Sequence, residues 1–148
     1  MVRTIWSPAD REAILRRFEQ LSPDARPKWG TLDAPRMVTH VTDAVRASIG
    51  ELALKPKASP LSYWPINVLV MFYLPWPKSA PTSPELLERR PLGWTNELDT
   101  LRAMLDRFTE RSINGQWTPH VAFGPISGTQ WGRLTYRHLD HHLKQFGV

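Results

Sequence analysis

The chain has 148 residues, 41% hydrophobic and 22% charged, the composition of one globular domain of ordinary size and not of a disordered segment. It contains no cysteine, which excludes disulfides, zinc–thiolate sites and cysteine nucleophiles and leaves His, Asp and Glu as the side chains able to hold a metal. The formal charge of +5 does not make a nucleic-acid protein: Arg11, Arg16, Arg17, Arg102, Arg107 and Arg111 are interleaved with acids along helical segments, no nucleic-acid motif accompanies them, and they read as solvated helix faces.

Met1 to Trp6 lacks the apolar stretch of a signal peptide, so a cytoplasmic location is expected. Ser7-Pro8-Ala9-Asp10 is a helix start, with a capping Ser, Pro at the first helical position and an acid in the first turn. Ile14, Leu15, Phe18 and Leu21 follow at helical spacing until Ser22-Pro23. After a loop containing Pro23, Pro27 and Gly30, Asp33 caps a second helix that runs through Met37, Val41, Ala44 and Val45 to a stop at Gly50. His40 lies on the flank of its apolar face, with Asp43 as a neighbour on the same side.

Between Pro56 and Pro91 the composition shifts, and eight of the fourteen prolines fall there. In its middle, Ile66 to Tyr73 is apolar almost throughout. Periodicity does not separate a buried helix from a buried strand in so short a run. The rest of the chain offers no strand partner for its backbone hydrogen bonds, which favours a short helix. The longest apolar run, Val68 to Leu74, is too short to span a bilayer. Leu74-Pro75-Trp76-Pro77 ends the helix, and Lys78 to Gly93 is expected to be an irregular surface loop of the kind that borders functional sites. Thr95 opens the next helix, with Leu98, Leu101, Met104, Leu105 and Phe108 as its core stripe and Asn114-Gly115 as its stop. Gln116 to Ile126 is an aromatic-rich loop carrying His120.

The last helix is expected from Thr129 to Phe146, behind a capping box of Ser127 and Gln130 and before Gly147. Trp131, Leu134, Thr135, His138, Leu139, His142, Gln145 and Phe146 share one face. His138 and His142 are one turn apart in its middle. His141 falls to the edge, and Asp140 points away with Arg133, Arg137 and Lys144. Two imidazoles on a buried face need partners for their nitrogens. A metal ion answers that need, and so does a polar cluster completed by a carboxylate or by backbone. With His40 from the second helix, three imidazoles can converge from two sides of an all-α bundle. That leaves an open position on a bound metal and suits chemistry better than a closed structural site.

Met37-Val38-Thr39-His40-Val41-Thr42-Asp43 and the His138-x-x-x-His142 pair, in that order and placement, resemble the DinB/YfiT-like superfamily of metal-dependent enzymes. Tyr73-Leu74-Pro75-Trp76-Pro77-Lys78 and Phe123-Gly124-Pro125-Ile126-Ser127-Gly128 look like a branch of uncharacterised function. The resemblance covers nearly the whole chain, taken as one domain over 1–148. It implies a four-helix bundle in up-down-down-up order, here with an extra short helix and a proline-rich connection. It also implies a divalent transition metal, zinc or nickel, on His40, His138 and His142. Characterised members are thiol S-transferases using low-molecular-weight thiols, together with a mycothiol-dependent isomerase. Thiol transfer or hydrolysis on a small electrophile is therefore the expected activity, and a homodimer the expected assembly, suited by exposed aromatics of the Pro56–Pro91 region. A non-catalytic metal- or small-ligand-binding dimer, stress-related as some members are, is the alternative, and a structural helical interaction module is a third. Asp43 and His120 are the candidate catalytic groups beside the metal; Asp43 reads equally as an ordinary helix-surface acid, and His120 more readily as a loop histidine with no role. His141 is assigned to the surroundings of the ligands or the surface. Trp131 faces the core, and Trp64, Trp76, Trp94 and Trp117 are candidates to wall the pocket or to pack in the core.

Overall fold

Three helices begin on the side-chain caps that their sequences offer. Ser7 Oγ accepts the N–H of Asp10 at 3.2 Å, and Asp33 Oδ1 accepts that of Arg36 at 2.8 Å. Ser127 and Gln130 cap each other's backbone at 3.2 and 2.9 Å. The computed structural model describes residues 1–78 and 80–148, and every regular element among them is helical. The elements are α1 (Pro8–Glu19), α2 (Ala34–Ser48), α3 (Ile66–Phe72), α4 (Trp94–Glu110) and α5 (Gly128–Gln145), with 3-10 turns at Pro60–Ser62 and Pro84–Leu87. α1 and α2 each pack against both α4 and α5, so the four long helices form a ring in which α1 and α2 stand diagonally opposed. One cluster of buried side chains, reaching from Ile5 to Phe146, fills the space between them. The short apolar segment is the helix expected of it: α3 rests on α5, where the Arg137 guanidinium binds the Met71 and Leu74 carbonyls left free at the end of α3.

Two boundaries and one loop differ from expectation. α4 begins at Trp94 and ends at Glu110, short of Asn114-Gly115. Arg111 takes extended dihedrals there, and its guanidinium binds the carbonyls of Ile49 and Gln116 at 3.3 and 3.0 Å, which pulls the chain off the helix axis. The stretch 78–93, apart from Ser79, which lies outside the described residues, is more than a surface loop. Its 3-10 turn packs on α2, and Ser83 is buried. Arg89 reaches inward between Asp43 of α2 (2.9 Å) and Glu97 of α4 (3.0 Å). An inward-turned arginine of this kind is invisible to hydrophobic patterning, because its only signal is a buried acid on another element. Tyr63, Trp64 and Tyr73 around α3 are exposed, Trp64 to 80%. Among the described residues no helix is long and apolar enough to cross a membrane.

Candidate metal centre

Helix phase carries the three histidines to one point. His40 lies in the middle of α2, where Met37 to Asp43 are all buried, and His138 and His142 stand one turn apart on the inner face of α5. His138 Nε2 is 3.2 Å from His40 Nε2 and 3.1 Å from His142 Nε2. One ligating nitrogen from each ring lies within 4.8 Å of the others. His142 Nδ1 is 2.8 Å from Gln145 Oε1, and Gln145 Nε2 donates to the Trp29 carbonyl at 2.7 Å. An amide held that way offers His142 an acceptor, so the ring proton sits on Nδ1 and the Nε2 lone pair faces the other histidines. The chain turns tightly to reach Gln145. Gly30 has φ +81°, and a Cβ on it would come within 2.6 Å of Gln145 Nε2, so a side chain at 30 would be strained twice over.

These residues fit a divalent ion. With His–metal bonds of about 2.1 Å, neighbouring ligand nitrogens lie roughly 3.0 Å apart in an octahedral site and 3.4 Å in a tetrahedral one. The two observed separations fall between these. Without an ion the cluster is poorly satisfied, because a single proton on His138 Nε2 cannot be shared well with two facing lone pairs. His40 Nδ1 is also buried without a hydrogen-bond partner among the described residues. The Leu86 carbonyl favours the protonated ring, but it lies outside hydrogen-bond geometry to that nitrogen. The three-histidine group can hold a metal ion through neutral imidazoles.

Burial also keeps the rings neutral. It lowers His40, with the Leu86 carbonyl and Asp43 tempering the drop. It lowers His138 well below the usual imidazole range, helped by His142 and His40. His142 falls to about 3 through burial and then the neighbouring His40, against the opposing hydrogen bond from Gln145, and His120 falls to about 4 through burial alone. Each folded-state value lies below that of the unfolded chain, so the unfolded chain binds more protons as the pH drops. The stability is therefore full above about pH 6.5 and is lost on acidification towards the folded-state values. Metal-free protein is expected to lose roughly 1.5 kcal/mol for each of His142 and His120 between pH 6.5 and pH 5. Urea unfolding midpoints across that range are the measurement, and a flat profile would contradict neutral burial.

The other expected site residues divide. Asp43 is buried, but its carboxylate is committed to Arg89, at 2.9 and 3.2 Å, and to Arg46 at 3.3 Å. It makes no hydrogen bond to any of the three imidazoles among the described residues. His120 stands outside the trio. A tight turn, in which His120 and Gly124 exchange backbone hydrogen bonds of 2.8 and 3.0 Å, folds its ring back so that Nδ1 accepts the N–H groups of Ala122 (3.0 Å) and Phe123 (3.2 Å). His141 is half-buried beside the trio, edge-on to Trp29, with Trp76 close by. Trp76 is at the pocket as expected, its Nε1 tied to the Val70 carbonyl at 2.8 Å. Trp64 is exposed, Trp94 is half-buried outside the pocket wall, and Trp117 packs on Trp6 and Phe108. Trp29 and Trp131 take their places at the pocket. Gln145 was legible in part, three residues beyond His142 on the ligand face. Trp29 was not, since a loop residue has no periodicity to place it.

The trio lies on the wall of a cavity of about 1180 Å³ that His120, His141, Trp29, Trp76 and Trp131 also line. A buried site with neutral nitrogen donors, opening onto a largely apolar chamber, has the form of a small-molecule site.

A family model described as "Protein of unknown function (DUF1569)" matches residues 71–147, just over half of the chain, and the chain belongs to that family. The matched segment includes His120, His138 and His142 but not His40. No curated protein and no solved structure was found to match the chain.

Proposed function

We propose that this DUF1569 chain is a metal-dependent enzyme that transfers a thiol, or less readily water, to a small electrophile, and that it is built as the up-down-down-up bundle of DinB-like proteins. The single observation that carries the reading is the convergence of His40, His138 and His142 on the wall of a cavity large enough for both reactants. The resemblance of the histidine order and placement to the thiol transferases of that superfamily gives the reaction class. A bound zinc or nickel ion would supply Lewis acidity, lowering the pKa of a thiol or water towards neutrality.

The chain's own residues do the rest. Gln145 holds His142 with Nε2 directed at the trio, and burial keeps all three imidazoles neutral and able to ligate. Trp76 and Trp131 shield the cavity from water, Trp76 being held under the Arg137 guanidinium, 4.7 Å above its ring. His120 accepts two backbone N–H groups on Nδ1, so its remaining nitrogen carries the proton and can donate to an acceptor on the substrate.

One observation favours the alternative, a non-catalytic binding protein: neither candidate base is free. Asp43 is paired with Arg89, and the basic nitrogen of His120 is occupied by backbone. One assay decides between the two. Metal-loaded protein is offered glutathione, bacillithiol, mycothiol and simple thiols with a chromogenic electrophile, and the His138→Ala protein serves as blank. Thiol consumption well above the blank is expected with at least one thiol. Rates equal to the blank with every thiol, and with water, would leave the binding protein as the better account.

A further inference from the structure

The charged groups on the cavity wall are all cationic. Lys57 and Lys78 are the only ionised side chains among its described lining residues, which include no Asp, Glu or Arg. His120 adds a third donor. Its Nδ1 is filled by the Ala122 and Phe123 amides, so its free nitrogen carries the hydrogen. These donors sit at two places on the wall. The Lys78 ammonium lies 5.1 Å from the centre of the Trp29 ring, and the Trp29 carbonyl holds the Gln145 that orients His142. The Lys57 backbone N–H binds the Val121 carbonyl at 3.1 Å, which fixes that lysine's segment beside the His120 turn. Most of the remaining wall is aliphatic or aromatic, Trp76 and Trp131 being its largest members.

We propose that this cavity takes an apolar small molecule bearing one acceptor-only anionic group, such as a carboxylate. A cationic ligand would meet two ammonium groups and no counter-charge. A neutral one would gain the apolar wall but no charge-assisted hydrogen bond from either ammonium. An acceptor-only anion can pair with an ammonium at either place, Lys78 beside Trp29 or Lys57 on the segment next to the His120 turn, while its apolar body replaces water along the aromatic wall. The inference deepens the reading of the reactive site given above and rests on it for this cavity being where substrate binds.

Calorimetric titration of metal-free protein with decanoate, 1-decanol and decylamine tests it. Using metal-free protein removes any direct carboxylate–metal bond from the comparison. Decanoate is expected to bind about tenfold more tightly than either of the others. Lys57→Gln with Lys78→Gln, two exposed substitutions, is expected to weaken decanoate by about fivefold or more and to leave 1-decanol within about twofold. Equal binding of the three probes, preference for the amine, no binding of any, or a double variant that retains the full preference would each overturn it. Anion preference in a protein that fails to take up zinc or nickel would keep this inference and remove the metal reading. Metal uptake without anion preference would do the reverse.

Discussion

The His142→Ala protein is expected to hold almost no divalent metal, where the wild-type chain takes up about one ion and the His141→Ala protein keeps it. His142 and His138 present nitrogens 3.1 Å apart, whereas the adjacent His141 is turned towards Trp29. A graded result should accompany it. Gln145 touches only the far side of the His142 ring, and losing such an outer partner typically weakens metal affinity by about 10–100-fold. Gln145→Leu should fall in that range, and His142→Ala beyond it. His142→Ala should still fold, because it buries two neutral imidazoles where the metal-free protein buries three, and it should lack only the stabilisation that metal binding adds. Elemental analysis after zinc or nickel loading, with circular dichroism as the check on folding, measures both. Equal loss of metal from His141→Ala and His142→Ala would show that the ligand pair is wrongly identified.

Replacing Glu97 by Ala is expected to destabilise the fold by about 3 kcal/mol, a large effect for one residue. Glu97 is 0% exposed and Asp43 2%, and the Arg89 guanidinium lies between them. Glu97 Oε1 accepts from Arg89 Nη1 and from the Leu92 backbone N–H, both at 3.0 Å. Removing the carboxylate leaves a partly buried guanidinium facing one acid in place of two, and leaves the Leu92 amide without its acceptor. Breaking a buried pair costs more than the intact pair contributes, because the desolvation of the remaining charge is no longer offset. Arg89 is about a quarter exposed, its side chain at 27%, which sets the expectation at the lower end of the usual range. Glu97→Gln preserves the acceptor for Leu92 and should lose less. Urea denaturation of the three proteins decides the matter, and a Glu97→Ala midpoint equal to wild type would mean that the network adds nothing. The same network anchors the segment that carries Leu86, which lines the cavity beside His40, so a loosened segment should also weaken anion binding.

What could be read from the chain alone depends on neighbours in sequence. Ser7, Asp33 and Ser127 bind amides three residues ahead of them, and such contacts exist as soon as the local turn forms. The inward phase of His138 and His142, the exclusion of His141 from that phase and the helix at Ile66 follow from a 3.6-residue period and from the absence of a strand partner. The end of α4 was misplaced because Arg111 answers to the carbonyl of Ile49, the residue just past the end of α2.

The tertiary structure alone decided which polar groups are free. Asp43 sits one turn from His40, and nothing in that spacing reveals that Arg89, 46 residues away, occupies its carboxylate. Nor does the spacing show that Trp29 and Gly30 close around Gln145, or that Trp117 turns to Trp6 and leaves the pocket wall to Trp29 and Trp131. A helix phase settles which way a side chain points, because backbone geometry is local. The partner it finds there depends on which distant segment packs across from it, and only the assembled ring of helices brings that partner within a hydrogen bond.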